Sequence, residues 1–379
     1  MKLPILLLAL MLGVLQLAIG AVSPTDITDA NHTDSNFVRG ADLSMLEYIE
    51  GHGVHYLENG QYKDALTIFK DHGCNAVRLR LFVRPDGSDG QVNSLPYTLA
   101  LAKRVKHAGL LLLLDFHYSD GWADPAHQNM PKEWNGLSHR QLVERVFNYT
   151  HDTLLAFANE GCSPDLVQVG NEIKNGMMWP DGGPLKDDAK FDALLDLVKA
   201  GICAVRNSDP TDKIKVIIHV DQGANQGVCK WFFDNCQKRN LDFDMIGLSY
   251  YPFGNDSLDD LACNLTFLSK TYSKPIMVVE TGYNATGRAQ RGAQYSFTPE
   301  GQKAYLQELV RVIQSTPNGR GAGFFYWAPE WIMGEKWEGP KWSHTWEERA
   351  LFDHSGNMLP AMEAYHIDRS LQGEIQKLK

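Results

Sequence analysis

The chain of 379 residues has no basic block, and its formal net charge is −10. Both features argue against nucleic acid as a partner. It has no Cys-x-x-Cys pair, so a zinc or thioredoxin-like reading has no footing. No Gly-x-Gly-x-x-Gly follows any strand-like run, which removes the usual fingerprint of a dinucleotide-binding sheet. No linker rich in Pro, Gly or Ser divides the chain, so one domain is expected over residues 36–379. Long apolar runs are also missing, with one exception. Lys2, the run Leu3–Ile19 and the small residues Ala18-Ile19-Gly20 read as a secretory signal peptide over residues 1–20. A membrane anchor is the competing reading, for a run barely long enough to span. No Cys follows the run, so a bacterial lipid anchor is not indicated. Residues 21–35 form a loose polar tail. The expected location is extracellular, with no membrane association once the signal is removed.

Two further features accord with secretion. Asn31, Asn148, Asn255, Asn264 and Asn284 each open an Asn-x-Ser/Thr sequon. Of the six cysteines, Cys74, Cys162, Cys203, Cys229, Cys236 and Cys263, some should pair in an oxidising compartment. Their spacing does not choose among the possible pairings, and buried free thiols are the alternative for some.

What is present is an ordinary globular composition, 44% hydrophobic and 22% charged. Strand-like runs alternate with helical patterns. The runs are Phe37–Asp42, Ala76–Leu81, Leu110–Phe116, Val167–Gly170, Ile214–His219, Phe243–Leu248, Pro275–Val279 and Gly323–Trp327. Helical spacing is read at Gln61–His72, Leu95–Ala108, Ser138–Glu160, Ala189–Arg206, Trp231–Arg239, Leu258–Thr271, Pro299–Thr316 and Ala361–Ile367. Eight strands alternating with helices is the pattern of an α/β fold, a (β/α)8 TIM barrel with enlarged loops. A doubly wound open sheet is the structural alternative.

Two runs end alike. Val167-Gln168-Val169-Gly170-Asn171-Glu172-Ile173 delivers an amide and a carboxylate after a short strand. Pro275-Ile276-Met277-Val278-Val279-Glu280-Thr281 delivers a second carboxylate about a hundred residues later. Either Glu could merely cap the element that follows. Together they suggest a paired-carboxylate site, because in such a barrel the strand C-termini build the active site. The other strand ends are also polar: Asp42, then Arg78 and Arg80 on one face of a strand, Asp115-Phe116-His117, His219 and Asp221, and Tyr250-Tyr251. Asp42 and Asp115 taken singly read as satisfied core groups. Trp327 ends the last strand, and Trp331, Trp337, Trp342 and Trp346 follow it. Carboxylates, His and flat aromatics together describe a sugar site. For Trp337, Trp342 and Trp346, glycan contact and packing are equal readings.

Longer motifs sharpen this. DFHYSDGWADPAHQ (Asp115–Gln128), VGNEI (Val169–Ile173), IGLSYYPF (Ile246–Phe253), VVETGY (Val278–Tyr283) and FYWAPEW (Phe325–Trp331) are long and specific. With them the chain, from about Val38 to about Tyr365, resembles the secreted endo-β-1,4-galactanases of glycoside hydrolase family 53. The resemblance implies a retaining hydrolase cutting the galactan or arabinogalactan side chains of pectin. It implies Glu172 as general acid/base and Glu280 as nucleophile, with carboxyl groups about 5–5.5 Å apart. Asn171 would bond the sugar 2-hydroxyl. Arg78 and Tyr251 would keep Glu280 ionised, and His117 and Trp327 would line the site. His219 and Asp221 would be neighbours, and Trp122 and Asp124 would shape the loop after strand three. No cofactor is expected, and the enzyme is expected to act as a monomer. Bacterial members of the family often hold calcium in the loop after strand seven. Here Thr281–Pro299 contains no Asp or Glu, so no calcium is expected in that loop. The competing readings are a related hydrolase acting on mannan, xylan or glucan, and a non-catalytic glycan-binding barrel.

Overall fold

The computed structural model describes residues 37–252, 256–287, 293–333 and 344–366. The signal and tail expectations, the sequons at Asn31 and Asn255, and Trp337 and Trp342 lie outside them.

Eight parallel strands close into a barrel in sequence order. They are β1 (Val38–Asp42), β2 (Ala76–Leu81), β3 (Leu111–Phe116), β4 (Leu166–Val169), β5 (Lys215–Val220), β6 (Met245–Ser249), β7 (Ile276–Thr281) and β8 (Gly321–Trp327). β8 pairs with β1, which leaves the barrel sheet without a free edge. Besides a short helix at Leu46–Gly51, the helices after β1 to β7 are α1 (Ala65–Asp71), α2 (Leu95–His107), α3 (His139–Asn159), α4 (Asp188–Ser208), α5 (Gln226–Lys238), α6 (Leu258–Tyr272) and α7 (Pro299–Gln314). A 3-10 turn, Pro360–Tyr365, packs against α7. Local chemistry fixes several starts. Asp64, Asp187, Asn225 and Thr298 accept a backbone N–H at the helix N-termini, and Ser138 with Gln141 forms a capping box on α3.

One expected helix start is corrected. Gln61 and Tyr62 are not helical; they pair with Leu57 and Glu58 in a small antiparallel hairpin. Tyr62 is 69% exposed, so its apolar spacing did not report a buried face. The helix begins after Asp64, the residue that caps it.

Side chains alternate along each strand, and the barrel uses the two sets differently. Val77, Leu79 and Leu81 of β2 and Leu112, Leu114 and Phe116 of β3 face the helices. The inward set splits along the barrel axis. Toward the strand N-termini it is an apolar plug that includes Val38, Ala76, Leu111, Leu113, Leu166, Ile217, Met245, Met277 and Phe325. Gly40 makes room for this plug: a Cβ there would lie 2.2 Å from the Phe325 ring. Toward the C-termini the inward positions become Asp42, Arg78, Arg80, Asp115, Gln168, His219 and Ser249, all buried.

The cysteines do not meet the expected pairing. All six are free, with Cys203 and Cys263 exposed and the other four buried. The buried thiols are held by neighbours of their own. Cys74 Sγ donates to the Ala76 carbonyl, and Cys229 Sγ accepts from Asn264. Burial pushes the Cys74 and Cys229 thiols up to about 12, so neither is poised to react. Two sequons also sit poorly for a glycan. Asn264 is fully buried and donates to the Gly223 carbonyl, while Asn284 is buried between Glu348 and Arg349. Asn148 is exposed on α3.

Candidate active site

Glu280 reaches the barrel mouth through an irregularity of the sheet. Met277 and Val279 belong to the inward plug, so strict alternation would turn residue 280 outward. The pairing of β7 with β6 slips at this point. Leu248 is opposite Val278, but the next residue, Ser249, is opposite Glu280. β7 slips against β8 as well, between Phe324/Val278 and Tyr326/Thr281. The extra residue re-aims the side chain, and Glu280 faces the interior beside Arg78.

Glu172 is placed by a different device. β4 ends at Val169, Gly170 adopts a φ of 84°, and Glu172 itself has a φ of 49°. A non-glycine residue in this left-handed region is disfavoured and persists only where its surroundings enforce it. Glu172 precedes a 3-10 turn, Ile173–Asn175, but its side chain makes no capping bond. The capping explanation therefore fails for Glu172. Its Oε1 lies 2.6 Å from Ser249 Oγ.

Both carboxyls face one cavity of about 420 Å³ at the strand C-termini. His117, Trp122, Asp124, Asn171, Tyr251 and Trp327 line it with them. Behind that lining, Arg78 is fully buried and holds four partners. It donates to Asp42 Oδ2 at 2.7 Å, Asp115 Oδ2 at 2.8 Å and Asn171 Oδ1 at 2.9 Å, and pairs with Glu280 Oε1 at 2.8 Å. Asn171 Nδ2 donates to the Ala123 carbonyl, so its oxygen is fixed toward Arg78. Tyr251 Oη donates to Glu280 Oε2 at 3.1 Å. His117 accepts the Ala123 N–H at Nδ1, which leaves Nε2 to donate to Asp115 at 3.0 Å.

The surroundings separate the two acids. Burial pushes the Glu172 carboxyl well above the usual range, and the nearby Glu280 charge pushes it further. Burial also raises Glu280, but the Arg78 guanidinium pulls it back. Arg78 thus makes Glu280 the more acidic of the pair without bringing it below the ordinary range. The surroundings thus favour the proton on Glu172 and the charge on Glu280, the division that acid-assisted cleavage of an acetal requires.

The remaining expected residues take their places around this centre. Arg80 stays off the cavity wall. It is buried, donates to Asn93 Oδ1 at 3.2 Å, and lies 4.4 Å from the Trp122 ring and 5.3 Å from the Trp327 ring. It supports the aromatic wall through cation–π contact. Asp42 serves Arg78 and accepts from Ser44. Asp221 pairs with Lys174 at 2.9 Å. Asp124 caps its own turn, accepting from Ala126 and His127. Trp346 joins the cavity wall, its ring centroid 4.3 Å from that of Trp327, while Trp331 is fully buried. Asn284 ties the loop after β7 to Glu348 and Arg349, both beyond β8.

Sequence reasoning passed over Ser249 and Gln168, and it treated Asp115 as core. Gln168 Nε2 donates to Asp115 Oδ1 at 2.5 Å and lies 3.0 Å from His219 Nδ1. The available signal was alternation. Ser249 shares an inward face with Met245, and Gln168 with Leu166. Gln91 and Asp89 also line the cavity, from a loop with no motif to mark it.

Residues 38–365 match the model of glycosyl hydrolase family 53. The chain belongs to glycosyl hydrolase family 53. Relatives agree with that membership. A Niallia circulans protein, named only as an uncharacterized protein in the bgaB 5' region, is 42% identical over 86% of this chain and 93% of its own length. The arabinogalactan endo-β-1,4-galactanase of Thermothelomyces thermophilus is 35% identical over 86% of this chain and 98% of its own. The solved catalytic domain of the family 53 protein from Ignisphaera aggregans superposes with a TM-score of 0.79 at 34% identity. It covers 87% of this chain and 96% of that one. The family 53 enzyme is therefore a glycoside hydrolase on a TIM barrel, and the cavity with its two carboxyls is where its chemistry is sought.

Proposed function

We propose that this enzyme is an endo-acting β-1,4-galactanase that cleaves the galactan backbone of type I arabinogalactan with retention of configuration. The carrying observation is one cavity that holds two carboxyls in different surroundings: burial raises both, the Glu280 charge raises Glu172 further, and Arg78 offsets part of the rise at Glu280. The named activity of the Thermothelomyces thermophilus relative supports the choice of substrate.

In this reading Glu172 protonates the leaving oxygen while Glu280 attacks the anomeric carbon. The glycosyl–Glu280 ester is then hydrolysed by a water that Glu172 activates as a base. Arg78 and Tyr251 hold the attacking carboxylate in place. Asn171, itself fixed by Arg78, is the donor for the 2-hydroxyl. Trp327, Trp122 and Trp346 offer apolar faces to the rings. The enzyme acts outside the cell, after removal of residues 1–20.

The deciding experiment is product release from purified β-1,4-galactan by wild type and Glu172→Gln. Short galacto-oligosaccharides from wild type and almost none from the variant are expected. Activity on mannan or xylan with none on galactan would leave the site and reject the substrate. The anomer first released, read by proton NMR, tests retention; an α-anomer would reject it.

A further inference from the structure

Behind Glu172 lies a buried pair that the reaction as written does not use. Ser249 Oγ, at the inward-facing end of β6, lies 2.6 Å from Glu172 Oε1 and 2.8 Å from His219 Nε2. A serine hydroxyl has one proton and two lone pairs, so it cannot donate to both neighbours at once. Which it serves depends on the tautomer of His219.

The neighbours of His219 Nδ1 decide that tautomer. Asn171 Oδ1 is 3.0 Å away, and it is an oxygen because the amide's other end donates to Ala123 and Arg78 donates to it. Two donors are also near Nδ1, Gln168 Nε2 at 3.0 Å and the Glu172 N–H at 3.4 Å, but the first has its shortest contact with the Asp115 carboxylate and the second is the longest of the three contacts. Nδ1 therefore carries the proton and donates to Asn171, which leaves Nε2 bare. Burial and the positive charge of Arg78 keep the ring neutral, so no second proton fills Nε2.

We infer that Ser249 is a positioning residue whose hydroxyl changes acceptor as Glu172 alternates between acid and base. With Glu172 protonated, the carboxylic O–H donates to Ser249 Oγ and the Ser249 O–H donates to His219 Nε2. Once Glu172 has turned this O–H from Ser249 to the leaving oxygen and given up the proton, the Ser249 hydroxyl rotates and donates to the carboxylate. No proton passes to His219, and apart from the proton that Glu172 gives to the leaving group only hydrogen bonds change. Both protonation states of Glu172 keep a partner in a buried site, where an unpaired acid would be costly. The inference rests on the acid/base role proposed for Glu172.

The other charged groups around Glu172 are Glu280 on β7, Asp221 after β5 with its partner Lys174, and Arg78 on β2. None of them offers a hydroxyl that can turn, and the nearby Tyr251 hydroxyl donates to Glu280 Oε2 instead. The bond to the carboxylate is the charge-assisted one, so its loss weakens the ionised form more than the protonated form.

The test is the pH dependence of kcat/KM on β-1,4-galactan for wild type, Ser249→Ala and Glu172→Gln. The alkaline limb reports loss of the acid's proton, and in Ser249→Ala it should move up by about one pH unit. An unmoved limb, or a shift to lower pH, overturns the inference while leaving the Glu172 assignment standing. Wild-type turnover in Glu172→Gln overturns the assignment itself, and the inference with it. A second measurement needs no variant at Ser249. Nitrogen-15 NMR of the wild-type enzyme, with His219 assigned by its absence in His219→Gln, should show the Nδ1–H tautomer. The Nε2–H tautomer overturns the inference.

Discussion

The two ends of the barrel interior are built from the same strands and do opposite things. At the N-terminal end, Leu111, Leu113, Ile217, Met277 and Phe325 fill the space with apolar volume. Two to four residues further along, the same inward positions carry Asp115, His219 and Glu280 in one continuous hydrogen-bonded network. The lower end gains from packing and has little geometric memory, since volume-conserving swaps in apolar cores are tolerated. The upper end gains little net stability from its buried ions, whose desolvation offsets their attraction. It gains a fixed arrangement instead. Substitutions in the two ends should therefore fail in different ways.

The largest effect is expected at Glu280, the carboxylate proposed to attack. Glu280→Ala removes one of four groups around Arg78 and should fold, yet lose turnover by a factor on the order of 10⁴ or more. Near-normal kcat in a correctly folded variant would reject its role. Arg78→Met strikes the network itself. It leaves Asp42, Asp115 and Glu280 as buried acids without their cation, at a cost of about 3–5 kcal/mol, with activity lost as well. Urea titration measures the first loss and galactan hydrolysis the second. Phe325→Ala is the matching break at the apolar end. A similar cost of about 3–5 kcal/mol is expected, but kcat per folded molecule should stay near wild type. If Phe325→Ala abolishes turnover while folded, the two ends are coupled more tightly than this contrast allows.

A smaller effect is expected from Glu330, a fully buried residue that touches neither end's function. Its Oε1 accepts from the Met45 N–H, and burial pushes its carboxyl up to about 8, with Asp42 adding to the rise. The unfolded chain releases that proton near its ordinary 4.5. The protonated form thus contributes stability fully below about 4.5, and the contribution is lost as pH rises to about 8. Glu330→Gln removes the titration. Its Tm relative to wild type should climb across that window by a few degrees. A pH-independent difference would place the proton elsewhere.

Much of the frame was legible because parallel strands covered on both faces are apolar runs, and helices between them start at capping residues. β2 matches its expected bounds, and β4 ends where Gly170 breaks the run. The hairpin at Gln61 was not legible because a short exposed Tyr imitates helical spacing. The motif glutamates were found from their strand-end positions, but their orientation was not. Strict alternation cannot see that β7 slips against both neighbours, because pairing register is a property of two strands. Ser249 and Gln168 were missed for a related reason. A single polar residue in an apolar strand gains meaning only when the residues opposite it are known. The cysteine expectation failed because compartment chemistry says that thiols can pair, not that folding brings any two together.

The slip beside Val279 also bears on how such an enzyme could be copied or lost. The residue string at the end of β7 works like a message read in a shifted frame: the letters are in place, but their sense depends on one inserted position in the sheet. A homologue could keep every letter of Val278–Tyr283 and still fall silent if its flanking strands paired without the insertion. Transplanting the motif into a regular barrel would aim the carboxylate at the surrounding helices. Heredity of the activity therefore resides partly in the spacing between strands, which no motif records.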